Sequence, residues 1–495
     1  MSAIPHYQRL LDAIPAIITG VIVIFAIWAL WYMPITLSWV AFVLAWYLVA
    51  RIIFALYAHA RGLHQIRQAY SCDWRGLYAL FSTHHPHTIR WDEIHHLVLL
   101  PNDHESLDVL RLSLRQLSKS PEASHMTIVL AMEAREAQAH DKATQLQSEF
   151  DTCFARVLIT YHPEGQAGEI RCKSANINYA IRQVKAVFET NGQNLSYVIV
   201  TTMDADTFWH PHYFSALTYE FITDAHRYHT FWQAPIRYHG KIEALPHALR
   251  LVNVYASALE LSYLASWWLA LPISSYSVSF RLLEAHNFWD KDVIAEEWRM
   301  FLKAYFGENG NIQTKPIFLP FTATVVQGAN FWDALKNRYY QTVRHALGSK
   351  EMGYTVGVMI QNPQIPIITR LRMLGRVSHD IIIAGAGWAV LILGGQGVSL
   401  VHGLGVYFGN GALFIGIQLA FVMLTALAII FWMIDNHVRG EPIIPKTRRE
   451  IVLTVIAFLM FPFLTVILLA LPIFHAQLWL LLGLPLSFRV SPKTI

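Results

Sequence analysis

Two long apolar runs open the chain and at least three more close it. AIPAIITGVIVIFAIWALWYM (13–33) and ITLSWVAFVLAWYLVARIIFALY (35–57) each have the roughly 20 residues that let a helix cross a hydrocarbon layer about 30 Å thick. Stretches at 379–396, 411–434 and 450–472 qualify as well, and the shorter AQLWLLLGLPLSF (476–488) reads as a further span or a re-entrant element. Backbone polar groups in lipid must be satisfied within the segment, so these runs have to be helices. The first run lacks a small-residue cleavage site and a second span follows at once, so it is not a cleaved signal peptide.

Lysine and arginine set an orientation. Arg9, Arg51, Arg61 and Arg67 flank the first pair of spans, Arg370, Arg372 and Arg376 precede the third, and Arg439, Lys446, Arg448 and Arg449 separate the fourth from the fifth. The intervening loops carry none. This alternation predicts six spans with both termini and the long middle region in the cytoplasm; if the last segment does not cross, the C-terminus moves outside. Hydrophobic residues make up 54% of the 495 positions and charged residues 15%, and mean hydropathy is +0.34. The net charge of +4 gives no reason to expect nucleic acid. Cys72, Cys153 and Cys172 have no CxxC spacing and fit reduced thiols. The histidine clusters at 84–87 and 95–96 lack metal-site spacing.

The middle of the chain has a different texture. HHLVLL (95–100), MTIVLAM (126–132), ARVLITYH (155–162) and YVIVTTMD (197–204) read as strands, the first ended by Pro101. Between them SLDVLRLSLRQL (106–117), a polar run after 132, and KSANINYAIRQVKAVFE (173–189) have helical spacing, the last with Asn176 or Ser174 near its start. Alternating strands and helices predict a mostly parallel sheet covered on both faces. Ligands of such sheets bind beyond the C-terminal strand ends, and Asp204 and Asp206 stand at one of them. Residues i and i+2 of an extended segment project to the same side, so the two carboxylates can share a hard divalent cation, Mg2+ or Mn2+, with positions left open for a diphosphate. The same residues would equally serve to end a strand and cap the next helix.

Taken together and in order, these stretches resemble the membrane-embedded family 2 glycosyltransferases with a GT-A fold, relatives of cellulose, chitin and hyaluronan synthases, over about residues 91–350. LVLLPNDHES resembles the first strand and nucleotide-holding turn of that family, with Glu105 on the acidic position and Asp103 where an aromatic residue is usual. VLAMEARE resembles the second strand, with Glu133 at the acidic, base-contacting end. GEIRCKSANINYAI resembles the element beside the donor phosphates and implies Lys173 and Asn176 as donor-binding. MDAD matches the DxD metal motif, with Asp206 favoured as direct ligand and Asp204 assisting both metal and donor. DVIAEEWRMFLKAYF (292–306) resembles the helix carrying the general base; Ala295-Glu296-Glu297 replaces Thr-Glu-Asp, and Glu297 takes the base position beside Glu296. FWDALKNRYYQTVRHALG (331–348) resembles the amphipathic interface helix with the QxxRW motif. Gln341 and Arg344 match it, and His345 replaces the tryptophan linked to holding a growing glycan. LPISSYSVSFRLLEAHNFWD (271–290) resembles acceptor-site lining.

The resemblance implies an α/β GT-A, Rossmann-like cytosolic domain with a mostly parallel sheet, flanked by transmembrane and amphipathic interface helices. The expected division is 1–60 (two spans), 61–90 (linker), 91–330 (GT-A domain), 331–378 (interface helices) and 379–495 (three to four spans). The implied activity is inverting transfer from a nucleotide-diphosphate sugar, UDP-sugar favoured, to a polysaccharide or lipid-linked acceptor at the bilayer's cytoplasmic face. Rival readings are a non-processive glycolipid transferase and a catalytically silent nucleotide-sugar-binding membrane protein. A transporter has little support, since the spans show neither a clear repeat nor intramembrane charge.

Overall fold

The computed structural model describes residues 6–239, 245–438 and 447–484. They form two compact units. One contains residues 62–239 and 263–325; the other contains 6–61, 245–262, 326–438 and 447–484.

The first unit is built on a seven-stranded sheet. Its strands are β1 (His95–Asn102), β2 (Met126–Glu133), β3 (Arg156–His162), β4 (Val198–Thr202), β6 (Thr230–Gln233), β8 (Tyr276–Ser279) and β9 (Gln313–Pro316), in the order β3-β2-β1-β4-β8-β6-β9. Strands β3, β2, β1 and β4 run parallel, β8 is antiparallel to both its neighbours, and β6 and β9 are parallel to each other. Leu97, Val98, Leu99 and Leu100 of β1 are fully buried, and all of β2 is buried. Such unbroken apolar strands are stable only where helices cover both faces. The Leu107–Leu117 helix starts where the Ser106 hydroxyl accepts from Val109 N, and it buries Val109, Leu110, Leu114 and Leu117 at helical spacing.

Pro101 does not end β1, which continues to Asn102. The Leu99 carbonyl points toward β4, where it accepts Met203 N. Alternation puts the proline ring nitrogen on that same side, beyond the last β1–β4 residue pair, where no ladder donor is needed. A small second sheet joins β5 (Thr207–Phe208), β10 (Phe321–Thr324) and β7 (Ile236–His239), with β10 in the centre.

Among the described residues, five helices are long and apolar enough to cross a membrane: Tyr7–Tyr32, Pro34–Tyr70, Ile367–His402, Gly411–His437 and Arg448–Leu482. All but Pro34–Tyr70, which runs past residue 61, lie wholly within the second unit. Two expectations are corrected here. The segment at 476–488 is not a separate span; as far as it is described, it continues the helix begun at Arg448. Pro472 would clash with the preceding turn of a regular helix, but a π-helical turn at Val466–Ala470 lies just before it and absorbs the mismatch. The expected boundary at 378–379 is likewise no break. The amphipathic stretch from Ile367 runs into the apolar one as a single helix through π turns at Ile383–Gly387 and Leu393–Gly397. The helices are also less free of charge than expected. Arg51 pairs with Asp380 at 2.6 Å, and the buried His59 stands 3.7 Å from Asp435.

Leu99→Ala would leave a cavity in the sheet core and cost about 2–5 kcal/mol. The half-exposed Leu112, changed to alanine, should cost within about 0.5 kcal/mol. Thermal unfolding of the detergent-purified protein should show a clearly lowered midpoint for the first only.

Candidate active site

The parallel register brings four strand ends to one edge. Asn102 pairs with Met132, Glu133 with His162, and Leu99 with Thr202. Strand β8 runs the other way, and its first residue, Tyr276, pairs with Thr202. Its entry segment, Ser274 and Ser275, therefore sits at the edge where the parallel strands finish.

A charged cluster is assembled there. The Lys173 ammonium, on the first residue of its helix, lies 3.0 Å from Asp204 Oδ1 and 3.0 Å from Glu296 Oε1, and donates to the Ser274 carbonyl. Ser274 holds a positive φ of 34° to present that carbonyl, a conformation that non-glycine residues rarely adopt. Glu296 and Glu297 open the Glu296–Gly307 helix, where the helix N-terminus favours negative charge. Burial disfavours the Lys173 cation, but Asp204, Glu296 and Glu297 outweigh it and hold its pKa above the ordinary lysine value. Burial also pushes Glu296 up, against the pull of Lys173. Burial and the Glu296 carboxylate push Glu297 up to about 8.

The two aspartates of the DxD stretch are held differently. Asp204 keeps 39% of its side chain exposed, and its backbone N–H donates to Ser275 Oγ at 3.1 Å. Asp206 is buried; its Oδ2 accepts Thr324 N at 3.2 Å and the Thr324 hydroxyl, a contact placed by the β5–β10 pairing. Among the described residues no three His, Cys, Asp or Glu side chains gather as a metal site. At this edge Asp204 and Asp206 offer carboxylate oxygens. Such a donor set suits Mg2+ or Mn2+ completed by phosphate and water.

A second polar network covers the ends of β1 and β2. Arg171 donates to both oxygens of Asp103 at 2.9 Å, and Arg135 reaches Asp103 at 3.3 Å and the buried Glu133 at 3.1 Å. His162 stands between Glu133 (3.2 Å) and Glu169 (2.8 Å). Burial opposes both charges. Hydrogen bonds from His104 and Arg171 nevertheless hold the Asp103 carboxyl below its usual range, and Glu133 and Glu169 raise His162. Glu105 folds back to accept Asp103 N at 2.6 Å, around a His104 with φ of 74°. Asn176 is buried; its Nδ2 donates to the Ala131 carbonyl of β2 at 2.8 Å, and its Oδ1 has no partner.

Lys173, Asp204, Glu296 and Glu297 are thus brought together. Asp103, Glu105 and Glu133 lie in the neighbouring network, and Asn176 fastens its helix to the sheet. Gln341, Arg344 and His345 lie on the Phe331–Ala346 helix of the other compact unit. There Arg338 donates to Gln341 Oε1 at 2.8 Å, and Arg344 Nη2 lies 3.4 Å from His345 Nε2. The sequence reading missed Arg135, Arg171 and His162, although each is within two residues of a singled-out position or closes a strand. It also gave no individual role to Tyr276, whose hydroxyl donates to Glu296, or to Trp289, whose indole N–H donates to Tyr276.

No family model and no curated protein matches the chain. Among solved structures it is similar to a mannosyltransferase from Pyrobaculum calidifontis in complex with GDP-mannose and Mn2+. The identity is 12% and the TM-score 0.43, over 85% of this chain and 97% of that one. It is also similar to GalNAc-T7 with UDP, GalNAc and Mn2+, at 10% identity and a TM-score of 0.31, over 60% of this chain and 57% of that one. Likenesses of this size do not decide a family.

A carboxyl whose folded pKa lies above its unfolded value binds protons more tightly when folded. It therefore costs stability as pH rises through that window, here from 4.5 to about 8. Glu297→Gln removes the cost. Its melting temperature should match wild type at pH 4 and exceed it at pH 9; an equal difference at both would refute the raised pKa.

Proposed function

We propose that the protein is a membrane glycosyltransferase that moves a sugar from a nucleotide-diphosphate sugar, with inversion at the anomeric carbon. The observation that carries this reading is the cluster in which Lys173 stands between Asp204 and the Glu296–Glu297 pair at the C-terminal edge of a mostly parallel sheet. It combines a cation site, a phosphate-sized positive charge and a carboxylate with a raised pKa. The motif order that resembles family 2 enzymes supports the same reading, as do five apolar helices. The positions of lysine and arginine favour a cytoplasmic catalytic domain.

Asp204 and Asp206 would hold Mg2+ or Mn2+, which supplies positive charge to a departing diphosphate when bound. Lys173 adds a second positive charge next to Asp204, with Arg344 and Gln341 assigned to the leaving-group side by resemblance. Glu105, Glu133 and Asn176 belong to the donor side, the first two through the network around Asp103. Glu297 in its ionised form takes the proton from the acceptor hydroxyl. The acceptor oxygen bonds to the anomeric carbon as the bond to the phosphate oxygen breaks, and the electron pair leaves with the diphosphate. A base poised near the working pH is efficient at this task. UDP-sugars are the favoured donors, and a glycan or lipid-linked molecule is the acceptor. His345 in place of tryptophan favours a second version, in which a lipid carrier or glycolipid receives one sugar only.

The test uses the protein in lipid nanodiscs with Mn2+, a panel of nucleotide sugars and lipid extract as acceptor. Nucleoside diphosphate should be released from one donor, and Asp206→Asn and Glu297→Gln should each reduce the rate by about 100-fold or more. Because the base must be ionised, kcat should rise with pH through about 8. No release from any donor would favour a silent nucleotide-sugar binder, and release indifferent to Asp206→Asn would remove the metal assignment.

A further inference from the structure

Both oxygens of Glu296 face a polar partner. Oε1 faces Lys173 at 3.0 Å, and Oε2 accepts the Tyr276 hydroxyl at 2.9 Å. Tyr276 in turn accepts the Trp289 indole N–H at 2.7 Å. The three side chains are buried to 0%, 1% and 2% exposure for Tyr276, Trp289 and Glu296. An indole N–H can only donate and an ionised carboxylate can only accept. The direction of the chain is therefore set: Trp289 to Tyr276 to Glu296. Burial and the neighbouring Glu296 keep the phenol protonated, so it remains a donor.

The far end of this chain is pinned as well. Asn287 and Phe288 hold positive φ angles of 57° and 59° just before Trp289. Their strained turn is fixed by Lys303, which donates to the Phe288 carbonyl at 2.7 Å, and by Asn178, which donates to the Trp289 carbonyl. Two helices, β8 and the loop that carries Trp289 thus converge on one carboxylate. That carboxylate is adjacent to Glu297 on the first turn of its helix, and it takes both the Tyr276 hydrogen bond and the Lys173 ion pair.

We propose that Tyr276 and Trp289 form a positioning relay that clamps Glu296 and, through the shared first helical turn, aims Glu297 at the acceptor hydroxyl. This rests on the transferase reading above. Neither residue touches substrate; both act through Glu296.

The test is a double-mutant cycle on the full chain in nanodiscs. The donor is whichever of UDP-glucose, UDP-N-acetylglucosamine and GDP-mannose wild type consumes fastest. Tyr276→Phe removes one hydroxyl at constant shape. It should lower kcat about tenfold, the equivalent of one hydrogen bond to a charged group, with the donor KM within about twofold. Trp289→Phe should lower kcat less and in the same way, and the double variant should be no slower than Tyr276→Phe alone. Unchanged kcat, a change confined to KM, or additive losses would each overturn the relay. If Tyr276→Phe fails to fold, Trp289→Phe alone decides on the same kcat-against-KM split. A wild type that consumes none of the three donors sinks the transferase reading and the relay with it, whereas an active wild type with an indifferent Tyr276→Phe sinks the relay only.

Discussion

An ammonium group withdrawn from water needs carboxylates around it, and carboxylates withdrawn from water need a cation. Effective penalties are several kcal/mol per ion. Lys173 and Glu296 meet this condition by pairing, with the partly exposed Asp204 as a second anion for the ammonium. They come from a helix start, the end of β4 and another helix start, so the parallel half of the sheet must be in register before the charges can neutralise one another. Removing one partner would strand the rest, which makes the cluster a constraint on the fold as well as a candidate centre for chemistry.

The antiparallel β8 is what lets this edge be more than a row of loops. Because it runs against β4, its entry segment delivers the Ser274 carbonyl, the Ser275 hydroxyl and the Tyr276 phenol to the side where β1 to β4 deliver their last residues. The small sheet then braces Asp206 through Thr324. A strained residue accompanies each network, His104 beside Asp103 and Ser274 beside Lys173. Backbone strain of this kind persists only where surrounding contacts over-determine it.

Much of this was legible in the chain because its signals are local. Apolar runs of four to eight residues and helical spacing marked β1 to β4 and two of the helices between them within a residue or two; the polar run after 132 turns helical only at Ala139. The carboxylates of the cluster were legible because Asp204, Glu296 and Glu297 sit at element ends, where polar residues have no packing role. What was not legible depends on pairing across long separations. Nothing in YSVS announces that Tyr276 will face Glu296, since only the reversed strand direction brings them together. The resemblance implied a donor-side place for Asn176 but not that its Nδ2 would bond the Ala131 carbonyl of β2, one helical turn inside. The membrane helices were visible as hydropathy, but their continuity was not. The fifth apolar run was ended at Pro472, and a π turn just before it lets the helix continue.

The central claim is that the Lys173–Asp204–Glu296 edge receives a nucleoside diphosphate together with a divalent cation. The direct measurement is a cryo-EM map of the protein in nanodiscs with UDP and Mn2+. The account predicts metal density against the Asp204 carboxylate and the diphosphate between it and Lys173. Well-ordered nucleotide density elsewhere on the protein, with this edge unchanged, would contradict it.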